Sequence, residues 1–115
     1  MTNKNISQVL DIEYLKSIVE DDKEFEQELF KIFIDNAQRN IAKMEESILN
    51  NNISSWYMAS HAFKGASSSI GAFELAKILE DAQKNIEESI ENKKILINKI
   101  KEELEDVIYF LNKSF

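Results

Sequence analysis

Little in this chain interrupts a helix. Among its 115 residues there is no proline, and its two glycines, Gly65 and Gly71, stand only six positions apart. Proline and scattered glycine are the main local breakers of helical runs. Their near absence leaves long stretches of Leu, Ile, Lys, Glu and Ala free to coil. The chain is therefore expected to be all-α. Its length suits one domain with a single modest core. No apolar run approaches the roughly 18 residues of a membrane span, and Met1-Thr2-Asn3-Lys4-Asn5 lacks the apolar stretch of a signal peptide. A cytoplasmic protein with no membrane partner is expected. The absence of cysteine excludes disulfides and thiolate metal sites. The net charge of −7 argues against nucleic acid, which needs a basic face.

Residues 1–10 read as polar and frayed, with 1–8 a flexible segment and 9–115 the domain. Asp11 is a candidate cap for a short helix in which Ile12, Leu15, Ile18 and Val19 recur at helical spacing. Asp22 is the candidate cap of a longer helix reaching about Asn50. Its inner stripe is Phe25, Leu29, Phe33, Ala37, Asn40, Ile41, Met44 and Ile48, broadened by Phe30 and Ile34. Asn52 is placed to cap a third helix, and Gly71 to stop it. A fourth helix starts near Ala72–Glu74 and carries Leu75, Leu79, Ala82, Ile86 and Ile90. Asn92 is expected to divide it from a last helix bearing Ile97, Ile100, Leu104, Val107, Ile108, Leu111 and Phe115. Amphipathic helices with short connections pack best as antiparallel neighbours. The expected fold is an antiparallel up-down four-helix bundle with a short N-terminal helix packed across it.

The chemistry converges on the third helix, which holds the chain's one histidine, His61. Trp56, Phe63 and Ile70 recur every seven residues and mark the buried stripe. At ~100° per residue His61 lies roughly 160° from Phe63, so it points outward. Tyr57, Met58, Lys64, Gly65 and Ser68 share its face. A glycine within an exposed helix costs about 1 kcal/mol against alanine. Gly65 therefore reads as an opening through which another backbone approaches the imidazole. Lys64, one turn on, suits an attached phosphate dianion. On the fourth helix Gln83 lies about 40° from the Leu79–Ile86 centre, and a partly buried amide needs partners. His61 and Gln83 stand ten and twelve residues from Gly71, so an antiparallel hairpin brings them to similar height. Gln83 can then hold one ring nitrogen and leave the other free.

These residues resemble the histidine phosphotransfer (HPt) family of two-component phosphorelays. The likeness centres on His61-Ala62-Phe63-Lys64-Gly65, with Ser67 and Gly71-Ala72. It extends to Asp11, Leu15, Asp22, Phe25, Phe33 and Leu79-Glu80, covering roughly residues 9–112. Phe63 replaces the usual aliphatic residue, and Ala66 takes a place often held by Ser. By this resemblance His61 accepts a phosphoryl group from the phospho-aspartate of one receiver domain and passes it to the aspartate of another response regulator. The free nitrogen, assigned as Nε2, attacks in line while Gln83 orients Nδ1. Lys64 stabilises the phosphoryl charge, Gly65 gives the partner access, and Ser68 is a further candidate donor. Tyr57, Met58, Lys64, Gly65 and Ser68 are expected to form the partner-binding face. The partners implied are receiver domains of response regulators, of a hybrid sensor kinase, or of both. No cofactor or metal of its own is expected, Mg²⁺ belonging to the partner receiver. The chain is expected to be a monomeric phosphocarrier without autonomous kinase or hydrolase activity, and its opening methionine fits a free protein. The alternative is a non-phosphorylated helical-bundle docking module for a signalling protein. A hydrolase is disfavoured, because one histidine without a visible paired nucleophile or cleft offers little.

Overall fold

A computed structural model describes residues 4–115, and among them the structure is entirely helical. A 3-10 turn at Ile6–Gln8 precedes five α-helices: α1 Ile12–Val19, α2 Lys23–Leu49, α3 Ile53–Ser69, α4 Phe73–Lys84 and α5 Ile90–Ser114. Four of the five α-helices start at a polar side chain, and α4 starts after Ala72 without one. The carboxylates of Asp11 and Asp22 accept the backbone N–H groups of Tyr14 and Phe25, both at 3.0 Å. Asn52 Oδ1 accepts from Ser55 at 3.0 Å, and Ser89 Oγ from Asn92 at 3.1 Å. These bonds satisfy N–H groups that a helix start leaves without partners.

Two of the ends are shaped alike. After α3 the chain turns at Gly71, with φ +80°. There Gly71 N–H bonds Ser68 O at 3.1 Å and Ala72 N–H bonds Ser67 O at 2.9 Å. This is a Schellman close, and it needs a left-handed residue. At the end of α2, Asn51 takes that place with φ +50°, and Asn52 N–H bonds Ser47 O at 2.9 Å. Gly71 also accepts the Asp11 N–H at 3.0 Å, which ties the start of α1 to the α3–α4 turn. A Cβ on Gly71 would lie 3.1 Å from the Asp11 carbonyl oxygen. Gly71→Ala is expected to lose about 1–2 kcal/mol, read from the urea midpoint. An unchanged midpoint would contradict this account of the turn.

The four long helices form an up-down ring in which α3 packs against α2 and α4, and α5 closes against α2 and α4. The bundle measures 44 × 27 × 20 Å. Trp56, Phe63, Ile70, Leu75, Leu79, Ile100 and Val107 are fully buried in its core. Ser60 and Ser67 are buried as well, their hydroxyls donating to the carbonyls of Trp56 and Phe63 one turn back. The Trp56 indole N–H donates to Ala82 O at 2.7 Å, pinning α3 to the last turns of α4. The Lys93 ammonium of α5 lies 5.0 Å from the centre of the Trp56 ring.

Three expectations are corrected. Within the stretch expected to fray, Val9 and Leu10 are only 1% and 2% exposed. They are an apolar pair set down by the Ile6–Gln8 turn just before α1. Lys4 pairs there with Glu103 of α5 and lies 3.6 Å from Asp106. The Glu103 hydrogen bond in particular holds the Lys4 ammonium above its ordinary pKa of 10.5. Residues 1–3 lie outside the described residues. Next, Phe25 is 43% exposed rather than part of the inner stripe. At this end of α2 the buried face is rotated by one residue, and Glu26 is buried instead, paired with Lys23 at 3.2 Å. Finally, the last two helices part at Asn85–Ser89 and not at Asn92. The Asn85 side chain bonds Asp81 O at 2.7 Å and Ser89 caps α5, so Asn92 lies in the first turn of α5 and Ile90 is exposed.

Candidate functional site

The heptad stripe of Trp56, Phe63 and Ile70 fixes the rotation of α3, since all three are fully buried. His61 must then face solvent, and it does. Counting along α3, His61 lies about 15 Å from the Gly71 turn at 1.5 Å per residue, on the side of the bundle. Gln83, half-buried in the last turn of α4, reaches it across the hairpin. Its Oε1 lies 3.4 Å from His61 Nδ1. A carbonyl oxygen only accepts, so this contact matches the tautomer carrying its proton on Nδ1. No hydrogen bond to His61 Nε2 forms among the described residues.

The side chains expected on this face are found there. Lys64 is half-buried and forms no ion pair among the described residues. Its ammonium is thus not committed to a carboxylate. Gly65 is exposed, and a Cβ built on it meets no atom within 4 Å. Met58 is exposed, while Ser68 is half-buried at the edge of the face. Tyr57 is nearer the centre than its expected part in a contact patch implied. Its ring lies parallel to that of His61, with centroids 6.1 Å apart and an interplanar angle of 4°. Its hydroxyl oxygen accepts Gln83 Nε2–H at 3.2 Å. The signal for this was present in the sequence, because Tyr57 precedes His61 by one helical turn.

The site is a solvent-exposed helix face. One groove between α2 and α3 is lined by Asn40, Lys43, Ser47, Met58 and Ala62, and another beside the N-terminal turn by Ile6, Gln8, Asp11 and Phe73. His61 lines neither groove. Among the described residues no group of His, Asp and Glu is placed to hold a metal ion. No helix among them is long and apolar enough to cross a membrane.

The family model described as the Hpt domain matches residues 28–109, from the second turn of α2 to the last turns of α5. The chain belongs to the Hpt domain family. It is a histidine phosphotransfer protein of phosphorelays, and the expectation drawn from His61, Lys64 and Gly65 holds at that level. Among solved structures it is similar to histidine-containing phosphotransfer protein B (HptB) from Pseudomonas aeruginosa PAO1, with a TM-score of 0.82 and 20% identity. That superposition covers 91% of this chain and 92% of the other, so the two share a fold over nearly their whole lengths. No curated protein matches closely enough to add a further relative. As an Hpt domain, the chain is built to meet receiver domains or kinases.

Proposed function

We propose that His61 is the phosphoryl acceptor of this Hpt domain. One observation carries the reading: the chain's single histidine is exposed on α3, and Gln83 faces its Nδ1. In the forward step the Nε2 lone pair forms the N–P bond with the acyl phosphate of a receiver. The P–O bond breaks, and its electron pair leaves with the aspartate carboxylate. Nδ1 keeps its proton throughout, so the ring becomes an imidazolium whose N–H is held by Gln83 Oε1. The return step to a second receiver reverses these events. The uncommitted Lys64 ammonium offsets charge on the phosphoryl oxygens as they pass between partners. Ser68 is a candidate further donor to them.

Tyr57, Met58, Lys64, Gly65 and Ser68 form the proposed docking face for the receivers, whose own site holds the Mg²⁺ that the reaction uses. The protein acts as a monomeric cytoplasmic carrier, with no turnover and no cofactor of its own. A two-receiver assay tests this. Labelled phosphate from a phosphorylated receiver should pass to the protein as an acid-labile, alkali-stable group. It should then leave to a second receiver. Docking of the receiver without uptake of label would support a binding module and overturn the carrier reading.

Gly65 gives a separate check. The open space around it means that Gly65→Ala should stabilise the fold by up to about 1 kcal/mol through helix propensity. Gly65→Gln should fold equally well but slow transfer from a receiver at least about tenfold, since ~1.4 kcal/mol of lost docking suffices. Unchanged transfer would remove the access role of this glycine.

A further inference from the structure

We propose that Tyr57 is a positioning residue for His61, acting through the Gln83 amide to select the nitrogen that reacts. The proposal rests on the reading of His61 as the acceptor, but its first test does not. Gln83 ends α4 and its amide is only half-buried. Held by one contact of 3.4 Å, that amide would rotate readily. Tyr57 supplies a second contact from a stiffer side chain, its ring lying flat beside the His61 ring. The phenol oxygen accepts Gln83 Nε2–H at 3.2 Å, and in that arrangement Gln83 Oε1 faces Nδ1 of His61.

The consequence is chemical. Facing a carbonyl oxygen, Nδ1 carries the proton and Nε2 keeps its lone pair. With the amide reversed, an N–H would face Nδ1, the ring proton would sit on Nε2, and Nε2 would have no pair with which to attack. In the arrangement seen, the hydroxyl of Tyr57, which does not touch the reacting atoms, holds the amide with its oxygen on the ring. The reverse pairing, with the hydroxyl donating to Gln83 Oε1, would put the ring in its Nε2–H form, and the tautomer ratio tells the two apart. Tyr57 thus reaches back to its own helix by way of α4, so the arrangement depends on α3 and α4 keeping their register. The Trp56 indole bond to Ala82 O, one residue before Gln83, fixes that register.

Tyr57→Phe keeps the ring stack and removes only the hydroxyl. The full chain, labelled with ¹⁵N, has a single histidine, so a long-range ¹H–¹⁵N spectrum reads one imidazole. At about pH 8 an ordinary imidazole is mostly neutral. There the wild type should show mainly the Nδ1–H form. Tyr57→Phe should lower the ratio of Nδ1–H to Nε2–H about threefold to tenfold, the range expected for one lost hydrogen bond. Phosphoramidate then serves as a small donor that needs no docking face. Its P–N bond breaks as the His61 Nε2–P bond forms, and ammonia leaves with the electron pair. Labelling of Tyr57→Phe should slow in step with the fraction of the ring in the Nδ1–H form, a smaller factor than the change in ratio. Adding Tyr57→Phe to Gln83→Ala should slow it no further.

An unchanged tautomer ratio in Tyr57→Phe overturns the proposal, as does a wild type mainly in the Nε2–H form. Additive slowing in the double variant overturns it too, since Tyr57 would then act independently of Gln83. A shifted ratio in a wild-type background that phosphoramidate cannot label supports the positioning role and overturns the acceptor reading instead. A Tyr57→Phe variant that loses only receiver transfer, with ratio and phosphoramidate labelling intact, assigns Tyr57 to docking alone.

Discussion

His61→Gln is expected to take up no phosphoryl group from a phosphorylated receiver, and its unfolding free energy is expected to stay within about 0.5 kcal/mol of wild type. Both halves follow from position. The ring is exposed, and its polar contact is one long hydrogen bond to Gln83 at 3.4 Å. Its remaining ring contact is the offset stack with Tyr57. Glutamine is a good helix former and fits a solvent-facing site on α3. It has no nucleophilic nitrogen, because the amide lone pair is delocalised into the carbonyl. The loss should therefore be complete, unlike the partial losses expected for Lys64, proposed to offset phosphoryl charge, and for Gln83 and Tyr57, proposed to position the ring. Labelling and circular dichroism on one sample check both halves. Uptake surviving in this variant would move the acceptor elsewhere in the chain.

Trp56→Ala should have the largest effect on stability, about 3–5 kcal/mol by urea denaturation. A domain of this kind holds roughly 5–15 kcal/mol in all, so the variant stands near the edge of folding. The indole is 0% exposed and sits where α3, α4 and α5 meet. Its removal opens a cavity, leaves the Ala82 carbonyl without its donor and strips the cover from Lys93. Trp56→Phe separates these effects. It keeps most of the apolar volume and should lose only about 1–3 kcal/mol, much of it from the unpaired carbonyl. Because Ala82 adjoins Gln83, Trp56→Phe should also loosen the amide at the site and slow phosphoryl uptake modestly. A loss under about 1 kcal/mol for Trp56→Ala would contradict the packing described for this residue.

The placement of the residues around His61 could be read from the sequence because helical phase is a strong signal in a chain without breakers. Trp56, Phe63 and Ile70 set the rotation of α3, and the outward direction of His61 follows from arithmetic. Counting from Gly71 brought Gln83 to the right height, since a hairpin of two straight helices preserves distance from its turn. The caps at Asp11, Asp22 and Asn52 were legible for the same reason: each is a polar side chain just before an apolar period. What escaped depends on contacts between distant parts of the chain. The Tyr57 hydroxyl bond to Gln83 needs the rotamers of two side chains on different helices. The burial of Val9 and Leu10 depends on where the Ile6–Gln8 turn lies against the bundle. The α4–α5 break fell at Asn85 and Ser89 because two local side-chain bonds there outweigh the helical spacing of Ile86 and Ile90. Glu26 and Glu103 are buried carboxylates with lysine partners, a pattern that periodicity alone reads as exposed.

The central claim is that His61 Nε2 carries the phosphoryl group. The ¹⁵N-labelled protein, phosphorylated by a receiver and kept at alkaline pH, should show a ³¹P–¹⁵N coupling to Nε2 of its one imidazole, with Nδ1 uncoupled. Coupling to Nδ1, or a phosphorus signal attached to any other residue, would contradict the account.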